Sequence, residues 1–257
     1  MTKIEFILPK QIIEPRTAGL RSVGLEYSPQ PAAKFIPEEY KNLPSYEEDD
    51  LHKPTVKKCI PFLDAMTSGY IIPFFQEYLI TVDYENRKWS FDANPSSHWN
   101  ETTSIFHQPQ QIPKNYQETS LPAGKFANKW IIKTPPGYSC LFVHPMNTPK
   151  TDFEIISGII DTDIYDDTVL FPFYFRRNED VFQNINNKKK EQIHIKLGTP
   201  MVQIIPFKRE SWKSESRMKS KKDEVTWSNN WAGLYPMFDI YKKLFWRKKH
   251  YDRIVGS

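Results

Sequence analysis

The chain has 257 residues, of which 39% are hydrophobic, 14% aromatic and 26% charged. That excludes a disordered chain and allows a core large enough to need neither disulfide nor metal. A net charge of +4 is too small to demand nucleic acid, and 21 prolines against 9 glycines favour short strands joined by stiff loops.

Residues 1–57 read as an extended arm that must lie on the main body or on a partner. Ile4 to Ile12 can give one strand, stopped at Pro9, and Pro29, Pro31, Pro37 and Pro44 keep the chain open. Ile36, Tyr40 and Leu43 are spaced i, i+4, i+7, enough for a short helical segment with Pro37 in its first turn. From Val56 to Met66 the chain becomes apolar, and Thr67-Ser68-Gly69 is a turn signal in which Gly69 can take positive φ.

Residues 58–210 carry the strand signals. Tyr70 to Val82 reads as strand broken at Pro73, followed by a hairpin-like turn from Asp83 to Lys88 and a return strand to Phe91. Asn94 to Pro122 is too long for an ordinary connection, so it is functional or packed across the domain. Strands follow at Trp130–Lys133 and Tyr138–His144, with a turn at Thr134–Gly137 between them. The organising stretch runs from Phe153 to Phe207. Within it Ile193, Ile195 and Leu197 alternate with Gln192, His194 and Lys196, as in a half-buried strand. Gly158 offers a kink before the turn at Asp161. Asp161 and Asp163, two apart, would point to one side of an extended backbone. Gly198-Thr199-Pro200 is a break before the last core strand.

Residues 211–257 form a charged linker and a C-terminal helix. Lys208 to Glu224 holds seven basic and four acidic residues, as an exposed connection would. Leu234, Met237, Phe238, Tyr241, Leu244 and Phe245 mark one face of an amphipathic helix to Tyr251. The ends of the chain differ in sign. Glu38, Glu39, Glu47, Glu48, Asp49 and Asp50 lie early, and Lys242, Lys243, Arg247, Lys248, Lys249 and Arg253 lie late.

Cys59 and Cys140 stand outside any CxxC pair and read as two buried thiols in a reducing compartment. No leader pattern follows Met1, and no apolar run approaches the roughly 20 residues of a membrane span, so no membrane association is expected. His98, Glu101 and His107 could join His144 in a metal site of the cupin type if they converged at about 2.0–2.2 Å on an ion. The His-x-His pair followed by Glu that marks such barrels is absent, so neither metal nor cofactor is expected.

The order Tyr138-Ser-Cys-Leu-Phe-Val-His-Pro145, Gly158-Ile-Ile-Asp-Thr-Asp163 and Leu197-Gly-Thr-Pro-Met-Val-Gln203 resembles the trimeric dUTPase and dCTP deaminase superfamily. The resemblance covers roughly Ile60 to Arg209. More closely, Lys-Cys-Ile-Pro-Phe-Leu-Asp-Ala, Thr-Pro-Pro-Gly-Tyr-Ser and Gly-Ile-Ile-Asp-Thr-Asp resemble proteins of tailed cyanobacterial phages and some bacteria. The resemblance implies a mainly β fold, a β-clip or distorted jelly-roll barrel, and commonly a trimer. It places Asp161 at the aspartate that activates the hydrolytic water, which makes Asp161 the candidate catalytic residue.

The other motifs depart from the superfamily. The tyrosine that stacks beneath the sugar would fall on Ile164, while Tyr165 comes one residue late and would face the other way on a strand. Gly69-Tyr70 is followed by Ile71 where the first motif has aspartate. Pro145-Met146-Asn147 stands where the second has Pro-Arg-Ser-Ser. The glycine-rich fifth motif has no counterpart. A triphosphate needs several backbone donors and cations, so dUTP hydrolysis is not expected.

Two readings stand for each candidate. Asp161 and Asp163 are a general base or cation ligands, or they accept backbone N–H bonds in a turn. Gln203 reads a base edge or satisfies a neighbouring strand. His144 and Asn147 line a ligand loop or close a barrel end. Trp227, Trp231 and Trp246 stack bases or pack the helix. The expected protein is a non-catalytic phage-type interaction or assembly module, in the infected cell or the virion. It would meet a protein partner or its own copies, a trimer being the form the resemblance implies, with nucleic acid not favoured. The first alternative is an enzyme or sensor that holds a small nucleotide-like ligand with His144, Asn147, Asp161, Asp163, Tyr165 and Gln203. The second is a metal-dependent cupin-like enzyme.

Overall fold

The computed structural model describes residues 2–8, 27–92, 104–106, 112, 121–176, 190–225 and 241–252. They form a mainly β, antiparallel architecture. The largest sheet has five strands in the order β13 (Gly158–Ile160), β11 (Tyr138–Val143), β16 (Pro200–Lys208), β5 (Tyr70–Pro73), β2 (Gln30–Pro31). A second sheet runs β12 (Phe153–Ile155), β14 (Phe171–Phe175), β9 (Gly124–Phe126), β8 (Ser104–Phe106). A third joins β15 (Lys190–Ile195), β6 (Tyr78–Asp83) and β7 (Lys88–Asp92). Two small pairs complete the set: β1 (Glu5–Ile7) with β10 (Ile131–Lys133), and β3 (Tyr46–Glu47) with β4 (Asp50–Pro54). Among the described residues no sheet closes on itself.

Burial explains the strand pattern. Tyr78, Ile80 and Val82 of β6, Phe171, Phe173 and Phe175 of β14, and Ile193 and Ile195 of β15 all enter one core at alternate positions. Met201 to Ile204 of β16 are buried consecutively, because that strand lies inside the sheet between β11 and β5. Rings fill the middle. Phe126 stacks on Phe173 at 3.9 Å, and Phe74 meets Phe126 edge-on at 4.9 Å, the edge-on contact being the kind that aromatic quadrupoles favour. Gly124 makes this possible, since a Cβ there would stand 2.5 Å from the Trp89 ring and 2.7 Å from Phe173.

The arm is built into the sheets. Its first strand is Glu5–Ile7, paired with β10, and β2 pairs with β5. The rest of the strand expected as far as Ile12 lies outside the described residues. The short helix is Glu38–Asn42, with Pro37 at its N-cap rather than in its first turn. The apolar run after Val56 becomes a helix at Ile60–Thr67. Gly69 then turns the chain at φ 70°, and a Cβ there would lie 1.9 Å from the Ile204 carbonyl oxygen.

Three expectations are corrected. Gly158 takes no positive φ and a Cβ on it would meet nothing within 4 Å, so no kink depends on this glycine. Cys140 is buried but Cys59 is exposed, because Cys59 precedes the helix instead of lying in a strand. The helix expected over Leu234–Tyr251 is, in its described part, a π-helical turn at Tyr241–Phe245 followed by non-helical chain to Asp252. Trp246 is drawn to a side chain of the body there, and the helical ladder stops. No helix among the described residues is long and apolar enough to cross a membrane.

Candidate functional site

The strand β11 separates the candidate residues. Val143 pairs with Gln203 at its C-terminal end, while Cys140 pairs with Ile160 near its N-terminal end and leaves Asp161 beside Ser139. From Ser139 to His144 is five residues, about 17 Å along a strand. His144, Asn147 and Gln203 therefore share one end, Asp161, Asp163 and Tyr165 the other, and they line no common concavity.

At the first end Gln203 is fully buried and fully bonded. Its Oε1 accepts from the Met146 N–H at 2.8 Å. Its Nε2 donates to the carbonyls of Ala65 at 2.9 Å and Ser68 at 2.7 Å. Those carbonyls end the Ile60–Thr67 helix, where backbone acceptors lack intrahelical partners. Thr67 Oγ1 and Ser68 Oγ donate to the carbonyls of Leu63 at 2.8 Å and Asp64 at 2.6 Å. Gln203 thus completes a side-chain cap of that helix. Asn147, at φ 57°, donates from Nδ2 to the Phe62 carbonyl at 2.9 Å.

His144 accepts from the Ile155 N–H at Nδ1 and meets Thr151 Oγ1 at Nε2, both at 3.4 Å. Acceptance at Nδ1 assigns the proton of the neutral ring to Nε2. Burial, reinforced by nearby Arg176 and partly opposed by Glu154, pushes its pKa down to about 4. An uncharged, internally bonded ring anchors the loop.

At the other end an arginine that the sequence reading left without a role, Arg209, organises the charges. Its guanidinium forms a two-pronged ion pair with Asp163, 2.8 Å from Nη1 to Oδ1 with a second, shorter contact from Nη2 to Oδ2. Nη1 also reaches Asp161 Oδ1 at 3.2 Å, the Tyr138 carbonyl at 3.1 Å and Ser139 Oγ at 3.1 Å. The Gly137 N–H donates to Asp163 Oδ2 at 2.8 Å. Bonds from Arg209, then from Gly137, hold the Asp163 carboxyl well below the usual carboxylate range.

Asp161 and Asp163 converge through a turn at 162–164, not through strand alternation. The Ile164 and Tyr165 N–H groups both donate to the Asp161 carbonyl, at 3.2 and 2.9 Å. The Asp163 side chain is 6% exposed and that of Asp161 52%. Asp161 accepts from Ser139 Oγ at 2.6 Å. Tyr165 lies outside, its hydroxyl donating to the Thr168 carbonyl at 3.4 Å. Arg209, committed to four acceptor groups, has little left for a phosphate. The clue to it was register: continuing the β11–β16 pairing one step beyond Tyr138–Lys208 sets residue 209 against Gly137, and the Arg209 N–H does donate to that carbonyl at 2.8 Å.

Among the described residues no group of three or more His, Cys, Asp or Glu is placed to hold a metal. His98, Glu101 and His107 lie outside the described residues. Among the described residues Trp246 is held by its indole N–H. Its Nε1 donates to both carboxylate oxygens of Asp64, at 3.0 and 2.9 Å, and Lys249 pairs with the same carboxylate. Trp227 and Trp231 lie outside the described residues.

No family model matches the chain, and no curated protein does. Among solved structures the chain is similar to a mutant dUTPase of Staphylococcus bacteriophage 80alpha, solved with dUpNHpp. The match covers 56% of this chain and 89% of that one, at 14% identity and a TM-score of 0.28.

Proposed function

We propose that this protein is a non-catalytic interaction or assembly module of the phage type, acting through self-association or a protein partner. The observation that carries this reading is Gln203. An amide that would read a ligand must keep a donor or acceptor free, yet this one is buried with all three of its contacts made to its own chain. Asp163 and Asn147 are likewise engaged in holding turns and the helix end. Light scattering on the purified chain tests self-association, with a trimer as the expected form; a strict monomer that captures no protein partner contradicts the reading.

A second reading is favoured by one observation. Asp161 is half-exposed beside Arg209, and the exposed Ile164 and Tyr165 follow it. A small nucleotide-like ligand would meet a carboxylate and an aromatic ring there. A thermal-shift series with nucleotides tests it: ligand at 100 times its Kd adds about 2.7 kcal/mol of stability, and an Asp161→Asn variant would lose that gain.

A further inference from the structure

The charge of this chain is concentrated at one end. Residues 208–257 hold thirteen Lys and Arg against six Asp and Glu, a net +7, which leaves −3 on residues 1–207. The described part of this tail is exposed almost throughout. Its large apolar side chains are exposed with it: Trp212 at 85%, Tyr241 at 46% and Phe245 at 48%. Among the described residues Lys242, Lys243, Arg247 and Lys248 meet no carboxylate.

The tail is nonetheless fixed to the body. Trp246 and Lys249 grip Asp64 on the Ile60–Thr67 helix. Tyr251 packs edge-on against Tyr70 at 5.9 Å, and the Tyr70 hydroxyl donates to the Asp252 carbonyl at 3.2 Å. The Trp246 N–H closes the turn onto the Tyr241 carbonyl at 2.8 Å. A short turn with exposed rings, and with cations that meet no carboxylate among the described residues, is therefore held in place on either side of its anchor, and its ordering cost is met before any partner arrives.

From this we infer that the C-terminal segment is a binding surface for single-stranded nucleic acid. Cations without carboxylate partners suit a phosphate backbone, and binding there releases counterions. Flat rings spread along the stretch offer stacking faces, which every base can use. A membrane surface fits less well, because an interfacial segment needs a sustained amphipathic helix and the stretch 246–252, which carries Arg247 and Lys248, is not helical. The inference goes beyond the assembly role proposed above and stands or falls apart from it.

The test is fluorescence anisotropy of the full chain with a labelled oligo-dT strand, a duplex of equal length and anionic phosphatidylserine vesicles. Binding to the single strand, at least about tenfold tighter than to the duplex, is expected. If about four phosphates are neutralised, affinity falls about 50-fold between 50 and 200 mM salt. Trp212→Ala with Tyr241→Ala should weaken it about tenfold or more, and Lys243→Glu with Arg247→Glu should flatten the salt dependence. These side chains are exposed, so thermal unfolding should not change. No strand binding at 50 mM salt, binding to vesicles alone, or affinity indifferent to the two rings overturns the inference. If light scattering on the same samples shows self-association, the assembly role survives that failure; nucleotide turnover would instead remove the role itself.

Discussion

The two ends of β11 hold polar side chains against the same sheet by opposite means. At the Val143 end the groups are neutral and joined through a buried amide and a half-buried imidazole. At the Tyr138 end they are ionised and gathered on one guanidinium at the rim of the sheet. The difference follows from solvent. A buried neutral donor or acceptor is tolerated when every bond is made, whereas a charge is expensive to bury and needs its counter-charge beside it, as the 6% exposed Asp163 side chain has in Arg209. One end should therefore govern stability near neutral pH and the other stability in acid.

The sharpest test of that division is Gln203→Leu. It leaves the Met146 N–H and the Ala65 and Ser68 carbonyls without their partner, at about 1–3 kcal/mol for each buried unsatisfied group. A loss of about 3–5 kcal/mol in denaturant titration is expected; a loss below 1 kcal/mol would mean that water replaces the amide. Next comes Gly69→Ala at the same end, which sets a Cβ against the Ile204 carbonyl in a left-handed backbone and should cost about 3 kcal/mol.

The two ends should also separate in pH. The folded pKa of His144 is about 4, below an unfolded value of about 6.5. Below pH 6.5 the unfolded chain takes up a proton that the folded chain refuses, so stability falls with pH until the folded ring also protonates. About 3 kcal/mol is at stake between those two values, and His144→Gln should abolish that slope in unfolding curves measured from pH 7 to 4. Asp163 acts lower. Its contribution is complete above its unfolded pKa, near 3.9, and is lost as pH falls toward its depressed folded value. The smallest expected change is thus that Asp163→Asn flattens the acid limb below pH 4, with Arg209→Gln giving the same limb; unchanged acid unfolding would show that the pair holds nothing.

Much of the sheet architecture was legible because side-chain period and burial agree. Ile193, Ile195 and the rings of β14 alternate in sequence as they do in the core, and Gly69 announced its turn. The Ile60–Thr67 helix was not legible, since eight residues with Pro61 near the start give too little periodicity. Pairing partners were not legible either, and those decided the site. Asp161 and Asp163 read either as a base or cation-ligand pair or as acceptors in a turn, and no local string shows that the chain just past β16 brings Arg209 alongside them. The role of Gln203 was not legible, because its amide faces a helix end whose position no local string discloses. The tail misled for the reverse reason: its helical spacing is real, but the bond from Trp246 to Asp64 outweighs continuation of the helix.

The unequal cysteines give the molecule a built-in reporter of its own opening. Cys140 lies in the middle of β11, buried, with its thiol pushed up to about 11 by loss of solvent and only partly relieved by Thr162. Cys59 stands outside. An alkylating reagent should mark Cys59 within the mixing time and reach Cys140 only when the strand detaches from the sheet, so the second label, counted by mass, times that event without any engineered probe.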